Sequence, residues 1–430
     1  MARQLDVWLS GKHIGTLTQI DGRLNFFYAQ DWLSNPNATP LSQSIPLQSE
    51  AFDERATRPF FAGLLPEGDK RKLIAQTLHV SRQNDFALLD GIGGECAGAV
   101  TLLEAGQNPA APDATQAVRW LDEGELLRLL DEMPKRPMLA GEEGLRLSLA
   151  GAQDKLPVVA DGERIGLPLF NTPSSHILKP AIAGVEGSVF NEGFCLALAD
   201  AMKLDVAKAR IQQVHDRHYL LVARYDRKTS TAGLLLRLHQ EDFCQALAVA
   251  PEYKYQNEGG PDLAQAFDLL RKTTRPSAPH ILKLLDFVIF NALIGNHDAH
   301  AKNFSLLYTS RGAILAPLYD ALSTAVYPNL IDKMAMKIGS KYRFTEVQAR
   351  HWERFAVDAG LSPAQVRKRV LDIAKRLPRL ARTTLETFET KGNRHAILGQ
   401  IVALIEQRCA LATRRLSEPK ADNTVQTEES

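Results

Sequence analysis

The segment 295–324 carries polar side chains whose types and spacing suit phosphoryl transfer. Asp298 and Asn303 stand in a D-x-x-x-x-N pattern directly after an apolar stretch, and Asp320 follows a predicted hairpin. One carboxylate can orient an attacking hydroxyl and accept its proton, while an amide oxygen and a second carboxylate suit Mg²⁺. We therefore predict Asp298 as the catalytic carboxylate and Asn303 and Asp320 as Mg²⁺ ligands. An ordinary polar turn also fits the short pattern, but the order of helix, hairpin and second aspartate favours catalysis.

A lysine and a glutamate further upstream have the spacing of an ion pair beside a nucleotide. Lys179 ends the run SHILKP (175–180), which predicts a strand, and Glu192 follows 13 residues later, early in a predicted helix. A strand lysine can bind the α- and β-phosphates of ATP while a helix glutamate holds its ammonium group. The alternative is a surface lysine and a glutamate favoured by the helix dipole.

Two more segments are candidates for nucleotide contacts. The small residues of 148–152 predict a tight turn between two strands, whose backbone N–H groups could approach phosphates. The run LLVARYDR (220–227) predicts a strand leading into a hinge, with the backbone of 223–225 at adenine and Asp226 at the ribose. An ordinary hairpin turn and an ordinary strand end are the alternatives.

A metal-dependent phosphoesterase is the competing class of enzyme. GNHD (295–298) and the D-x-H of Asp216 and His218 belong to its signature. The GD-x-x-D block expected between them and the G-H-x-H block expected afterwards are both missing from the sequence, so a two-metal site would lack most of its ligands. His297 and His300 have no third nitrogen or sulfur ligand nearby, which is typical of loop residues that form hydrogen bonds. We expect His300 to support the catalytic loop.

The elements that must position these residues begin with a strand-rich segment at 5–28. Helical spacing follows at 53–78 and at 119–133, and the glycine-rich run GGECAGAVTLLE between them predicts a turn and a strand. The segment AGQNPAAPDATQ (105–116) is rich in proline, alanine and small polar residues, which indicates a linker.

A second strand-rich region covers 145–226 and is interrupted by a single predicted helix at 191–202. Its predicted strands are LRLSL, KLPVVA, SHILKP, IQQVH and YLLVARYD. From 240 to 415 the chain is mainly helical, apart from the runs FSLLYT (304–309) and AILAPLYD (313–320).

This order predicts an α+β protein with a two-lobed, protein-kinase-like fold. A small sheet carrying one helix would form the first lobe, and a mainly helical C-terminal lobe would hold the catalytic residues. An extra N-terminal α/β subdomain would precede both. The expected divisions are 1–135, 136–240, 241–415 and a polar, disordered tail at 416–430.

Bulk composition favours a soluble cytoplasmic protein of more than one domain. The chain has 430 residues, a formal net charge of +1 and 45% hydrophobic residues, so no strong field attracts nucleic acid to the chain as a whole. Its four cysteines lie far apart, without a C-x-x-C pair, which fits a reducing compartment. The N-terminus lacks an apolar signal core, and the apolar run 281–294 contains charged residues, so we expect no membrane span.

Taken together, these segments resemble the HipA family of toxin kinases. The specific matches are SLAGAQDK (148–155), HILKP (176–180), HQEDFCQAL with KYQNEGGP (239–247 and 254–261), and DAHAKNFS with PLYDALS (298–305 and 317–323). The similarity extends to PLSQSIPLQ (40–48) and FFAGLLPEG (60–68), so it spans nearly the whole chain. It departs at Ala299, where relatives commonly carry glycine, and we expect activity to survive unless that position requires a positive φ.

The resemblance implies ATP and Mg²⁺ as cofactors and a role for each matching residue. Asp298 would be the base supported by His300, Asn303 and Asp320 the Mg²⁺ ligands, and Ser148 an autophosphorylation site whose modification ejects its loop and silences the kinase. Glu192 would be the ion-pair partner of Lys179. The residues implied at the nucleotide are Ala152, Gln153, Lys179, Ala223, Arg224, Tyr225, Asp226, Asp298, His300, Asn303, Tyr319 and Asp320.

The resemblance also implies partners. A small helix-turn-helix antitoxin of the HipB type would bind the kinase, and the complex would bind operator DNA and repress transcription. Glutamate–tRNA synthetase is the implied protein substrate, which would make translation arrest the outcome. A catalytically silent corepressor that only binds the antitoxin is the non-enzymatic alternative. The presence of Lys179, Asp298, Asn303 and Asp320 together argues against that alternative.

Overall fold

The structure, a computed structural model, describes residues 3–109 and 117–417. Most of the predicted linker and nearly all of the predicted tail therefore lie outside the described residues. The strands of the first sheet are β1 (Arg3–Leu9), β2 (Lys12–Ile20), β3 (Arg23–Tyr28) and β4 (Val100–Glu104). The helices between β3 and β4 are α1 (Gln30–Leu33), α2 (Glu54–Ala62), α3 (Gly68–Thr77) and α4 (Asp85–Ile92).

This N-terminal part is an antiparallel sheet in the order β3-β2-β1-β4, with helices packed on it. Strand alternation explains how the sheet forms its core, because Leu5, Val7 and Leu9 are buried while the residues between them are partly exposed. The predicted strands of 5–28 and the strand after the glycine-rich turn are confirmed.

The second sheet has six strands in the order β5-β7-β6-β8-β10-β9. These strands are β5 (Val118–Trp120), β6 (Leu156–Asp161), β7 (Arg164–Pro168), β8 (His176–Pro180), β9 (Ala209–Val214) and β10 (Arg217–Ala223). The helices associated with them are α5 (Glu123–Glu132) and α6 (Ser188–Ala201).

Strand β10 lies between two hydrophobic cores and contributes side chains to both. Tyr219 and Leu221 face the core shared with the N-terminal part, whereas Leu220 and Val222 face the core of the helical lobe. Because successive side chains of a strand point to opposite faces, this single strand joins both cores. The small sheet is thus covered on both sides.

Several sequence predictions for this region need correction. LRLSL is not a strand: its alternating leucines Leu145, Leu147 and Leu149 are buried in the N-terminal core, but its backbone forms only an isolated bridge with Glu95. The leucines alternate because one face of the segment is buried, although no neighbouring strand among the described residues forms a ladder with it. The helix expected at 119–133 begins only at Glu123, since β5 precedes it, and β7 had not been predicted.

The C-terminal lobe is mainly helical, as predicted. Its helices are α7 (Phe243–Ala246), α8 (Leu263–Thr273), α9 (Ala278–Ile294), α10 (Ala349–Asp358), α11 (Pro363–Thr390) and α12 (Ala396–Ser417). Its strands, with those of the connection to the small sheet, are β11 (Arg227–Thr229), β12 (Leu235–Arg237), β13 (Gln240–Asp242), β14 (Ser305–Thr309) and β15 (Gly312–Leu315).

Helix α9 positions the predicted catalytic segment, residues 296–303. Its C-terminal two thirds, Leu284–Ile294, is buried without interruption, which is typical of a helix in the centre of a core. Gly295 ends it in the left-handed conformation, with φ 77°. The polar segment after Gly295 therefore starts from a fixed point, and the β14–β15 hairpin then returns the chain towards it.

Among the described residues, one helix, α12, is long and apolar enough to cross a membrane by length and composition alone. Its residues Leu398, Ile401 and Ile405 are fully buried in the main core. Packing against α11, α9 and α6 explains the apolar composition of α12.

Candidate active site

A cavity of about 550 Å³ opens where the N-terminal part, the small sheet and the helical lobe meet. A volume of several hundred Å³ is usual for a small-molecule site. Every residue predicted from the sequence for catalysis or nucleotide binding lines it, from Lys179 on β8 to Asp298 and Asp320 in the helical lobe. Ser148 does not line the cavity, although its neighbours Leu149 and Ala150 do.

Lys179 forms the predicted ion pair with Glu192 and a second one with Asp320. Its Nζ lies 2.6 Å from Glu192 Oε1 and 2.5 Å from Asp320 Oδ1. Burial alone would lower the pKa of Lys179, but the two carboxylates outweigh it and the pKa is raised. Burial favours a neutral Asp320, yet Lys179 and then Lys155 hold the pKa of its carboxyl below the ordinary value. Both groups are therefore charged at neutral pH.

The backbone at Asp320 is unusual for a residue with a side chain. Its φ is 56°, in the left-handed region, which costs about 1 kcal/mol or more and is typical of functional sites. The preceding Tyr319 is fixed by its hydroxyl, which donates to the Lys302 carbonyl at 2.8 Å and lies 2.7 Å from Ser305 Oγ. These contacts direct the Asp320 carboxylate at Lys179.

The catalytic segment presents the Asp298 carboxylate at the surface of the cavity. The Asp298 side chain is 46% exposed, and its Oδ1 accepts a hydrogen bond from the Tyr255 hydroxyl at 2.5 Å. Asn303 Nδ2 donates to the Asp298 carbonyl at 2.8 Å, which leaves the amide oxygen of Asn303 for another ligand. Ala299 is not among the residues with positive φ, so alanine is accommodated there without strain.

His300 packs against two residues of this site, Asp298 and Tyr255. Its Nε2 lies 3.9 Å from Asp298 Oδ1, and its ring meets that of Tyr255 edge to face at 5.1 Å between centroids. Burial lowers the pKa of His300, so its imidazole is neutral at neutral pH. Its Nδ1 is buried without a hydrogen-bond partner among the described residues, a state that a polar ligand in the cavity would relieve.

Lys155 is a site residue that the sequence analysis missed. It lines the cavity, forms no ion pair within 3–109 and 117–417, and has its pKa lowered by burial despite the nearby Asp320. A Cβ atom on Gly151 would lie 2.7 Å from Lys155 Nζ, and Gly151 has a φ of 113°. Glycine is therefore favoured at 151, because this φ strains any residue that carries a Cβ atom. The signal was present, since Lys155 ends SLAGAQDK.

The N-terminal part reaches the catalytic segment through Glu67, which was also missed. Glu67 Oε2 lies 2.7 Å from Lys254 Nζ, and its Oε1 lies 3.6 Å from Lys302 Nζ. Burial would raise the pKa of Glu67, but the two lysines hold it below the ordinary value. Lys302 also donates to the Gly63 carbonyl at 3.1 Å. No local pattern in the sequence reveals these contacts between distant segments.

Ser148 lies in a different environment from the predicted turn between strands. The residue is fully buried, and its Oγ donates to the Leu64 carbonyl at 2.8 Å. Its backbone N–H donates to the Glu95 carbonyl at 2.9 Å, and the Glu67 N–H donates to the Gly151 carbonyl at 3.0 Å. The Ser148 loop, defined here as 147–153, is thus held by the N-terminal part.

The predicted hinge is fixed by a buried ionic cluster. Arg224 binds Asp226, with 2.7 Å between Nη2 and Oδ2, and Glu95, with 3.1 Å between Nη1 and Oε1. Arg227 and Arg237 also bind Glu95. Both carboxylate oxygens of Asp226 accept hydrogen bonds from Arg224. A ribose contact of Asp226 stays a prediction, because the structure shows its carboxylate engaged within the protein.

The residues proposed for a phosphoesterase do not assemble into a metal site. The described part of the chain contains no group of three or more His, Cys, Asp or Glu side chains able to hold a metal ion. Asp216 and His218 do not line the cavity. His297 forms hydrogen bonds instead, with Nδ1 3.0 Å from the Ile331 carbonyl and Nε2 2.9 Å from Arg408 Nη2.

Two family models match the chain. The model of the HipA N-terminal domain matches residues 5–103, and the model of the HipA-like C-terminal domain matches residues 147–381. The second match alone covers more than half of the 430 residues.

Similar proteins and structures extend over nearly the full length. The protein Y4mE of Sinorhizobium fredii is 48% identical over 374 residues, which are 86% of this chain and 89% of Y4mE. The serine/threonine-protein kinase toxin HipA of Shewanella oneidensis is 30% identical over 391 residues, 87% of each chain. A solved structure of the Shewanella oneidensis HipA, HipB and operator DNA complex contains a chain that matches with a TM-score of 0.82 at 27% identity, covering 96% of this chain and 97% of that one.

Proposed function

The chain belongs to the HipA family and is a serine/threonine protein kinase, and from this premise we propose that Asp298 is the base of its phosphoryl transfer. The observation that carries the proposal is the assembly of Lys179, Glu192, Asp298 and Asp320 in one cavity. The Asp298 carboxylate is exposed there and oriented by Tyr255. A carboxylate so held can accept a hydrogen bond from an acceptor hydroxyl.

In the proposed reaction the γ-phosphoryl group of ATP passes to a serine or threonine oxygen. The hydroxyl proton goes to Asp298, and ADP leaves. Lys179 and Lys155 bind phosphate oxygens, since both side chains line the cavity and Lys155 forms no ion pair among the described residues. Glu192 keeps Lys179 in position, and Asn303 fixes the backbone of Asp298.

The residues present fit Mg²⁺. The Asn303 amide oxygen and the Asp320 carboxylate line the same cavity, and oxygen ligands of this kind suit Mg²⁺ bound with phosphates. His300, whose Nδ1 has no hydrogen-bond partner among the described residues, lines the same cavity. Bound Mg²⁺ would neutralise negative charge on the phosphate oxygens.

We also propose that Ser148 is an autophosphorylation site and that its modification silences the kinase. Two observations support this proposal: Ser148 is fully buried, and its hydroxyl donates a hydrogen bond to the Leu64 carbonyl. A phosphate carries about −1.5 to −2 charges, so the phosphorylated side chain would lose this hydrogen bond and repel the carbonyl oxygen. The loop that covers the cavity would then leave its place.

The biological setting that we propose is a toxin–antitoxin module in the cytoplasm. The Shewanella oneidensis relative is named a kinase toxin, and its structure was solved with HipB and operator DNA. A HipB-like helix-turn-helix antitoxin would bind this chain and supply most contacts to operator DNA. The net charge of +1 agrees with that division of roles. Glutamate–tRNA synthetase is the proposed protein substrate.

Intact-mass analysis tests the function. The purified chain is first dephosphorylated, then incubated with ATP and Mg²⁺, with and without a bacterial lysate. We expect a gain of one phosphoryl group that maps to Ser148, and no gain for Ser148→Ala, which should still label lysate protein. Labelling of lysate protein without labelling of the chain would remove only the Ser148 proposal. If neither is labelled, the active-kinase proposal fails and the silent corepressor replaces it.

A further inference from the structure

Two exposed aliphatic side chains, Leu330 and Ile331, line the same cavity as Asp298. They are 41% and 76% exposed, whereas large aliphatic residues are usually buried. We propose that this acceptor lip, Leu330 and Ile331, binds the segment of a protein substrate that carries the phosphoacceptor, and selects a bulky aliphatic residue next to the serine or threonine. The inference rests on the proposed kinase function and adds a class of substrate to it.

A hydrogen bond connects the lip to His297, the residue before Asp298. Arg408 Nη2 donates to His297 Nε2 at 2.9 Å, so His297 carries its proton on Nδ1 and donates to the Ile331 carbonyl at 3.0 Å. The Ala335 N–H donates to the His297 carbonyl at 2.8 Å. His297 immediately precedes Asp298, so the base and the lip are joined through one buried side chain.

The hydrogen bond from His297 fixes the backbone of Ile331, while the side chain of Ile331 stays exposed to solvent. A single exposed aliphatic residue needs no explanation, but two adjacent ones at the edge of a catalytic cavity indicate a binding surface. Covering the lip with an aliphatic side chain of the substrate would remove apolar surface from water on both partners. Burial of one such side chain corresponds to about tenfold or more in binding.

The acceptor that the chain itself offers has the same character. Ser148, proposed above as a phosphoacceptor, stands between Leu147 and Leu149 in the sequence. An acceptor serine with an aliphatic neighbour fits an apolar lip that lines the same cavity as Asp298. We therefore assign the occupant as a protein segment with leucine, isoleucine or valine adjacent to its serine or threonine.

A peptide library with a fixed central serine tests this assignment. Each flanking position is varied in turn, and phosphorylation by the full-length chain with ATP and Mg²⁺ is measured. The wild type should prefer aliphatic over acidic residues at one position adjacent to the serine by about tenfold. Ile331→Asp should abolish that preference and raise the relative rate for lysine or arginine there. Leu282→Asp, at a residue 54% exposed and outside the cavity, should keep the wild-type profile.

The outcomes separate the lip from the kinase function itself. Phosphorylation without an aliphatic preference, or an unchanged profile in Ile331→Asp, overturns the inference and leaves the kinase intact. Phosphorylation of the chain or of lysate protein, but of no library peptide, also counts against the lip as an acceptor site. An absence of phosphorylation in every format instead removes the proposed function on which the inference rests.

Discussion

At the scale of single residues, the site is organised around Lys179. Its ammonium group is shared between Glu192, on the helix of the small lobe, and Asp320, in the helical lobe. One cation therefore holds two carboxylates that would repel each other without it. Asp320 is the carboxylate that we propose for Mg²⁺, so metal and lysine would share its oxygens when nucleotide is bound.

Lys179→Met should lower the affinity for ATP with Mg²⁺ at least tenfold, because charge-assisted hydrogen bonds to phosphate contribute about 1.5–3 kcal/mol. Isothermal titration calorimetry measures this affinity. Lys208→Met is the matched control, since Lys208 is 72% exposed and forms its ion pair with the exposed Asp200. An unchanged affinity in Lys179→Met would exclude Lys179 from the nucleotide site.

At the scale of elements, the Ser148 loop is a contact between two parts of the chain. Leu64, Glu67 and Glu95 of the N-terminal part hold it through backbone and hydroxyl hydrogen bonds. The same Glu67 binds Lys254 and Lys302, so the loop over the cavity and the catalytic segment share one support. Displacement of the loop should therefore alter the position of Glu67 and of the lysines that it binds in the site.

Ser148→Asp should imitate the modified state. A carboxylate beside the Leu64 carbonyl would be buried without a donor, so the loop should leave its place and the affinity for ATP should fall about tenfold or more. Calorimetry measures the affinity, and limited proteolysis should show new cleavage within 147–153. Ser49→Asp, at an exposed serine, should change neither. A fully protected loop in Ser148→Asp would contradict the proposed switch.

The elements also indicate what a sequence can predict. Asp298, Asn303, Asp320 and Lys179 were found because each lies in a local pattern of strand, helix end or hairpin. The alternation of LRLSL correctly indicated one buried face, but a ladder needs a neighbouring strand, and within the described part of the chain this segment forms one isolated bridge, to Glu95. Glu67 acts through contacts that depend on how distant segments pack, which no local period encodes, whereas Lys155 ends the matching motif SLAGAQDK and was overlooked.

At the scale of the whole molecule, Glu95 joins the N-terminal part to the segment 224–237 that follows β10. It is fully buried and binds Arg224, Arg227 and Arg237. Burial would raise the pKa of Glu95, but the three guanidinium groups hold it far below the ordinary 4.5. A lowered pKa in the folded state gives stability that is present above pH 4.5 and is lost as the pH falls towards the folded-state pKa.

Glu95→Gln should lower the free energy of unfolding by about 3–5 kcal/mol at neutral pH, because three buried cations would lose their shared carboxylate. Its stability should also depend less on pH below 4.5 than that of the wild type. Urea unfolding at several pH values measures both effects. Glu143→Gln, at an exposed glutamate, is the control. A change of less than about 1 kcal/mol would show that the cluster does not hold the parts together.

The most direct test of the account is the transfer of labelled phosphate from ATP by the wild type and by Asp298→Asn. Asp298 is 46% exposed, so the variant should fold. We expect its transfer rate, to itself and to lysate protein, to fall by about 10²-fold or more while its ATP affinity stays unchanged. Asp268→Asn, at a residue 53% exposed on α8, should behave as the wild type. Transfer by Asp298→Asn at the wild-type rate would contradict the assignment of the base.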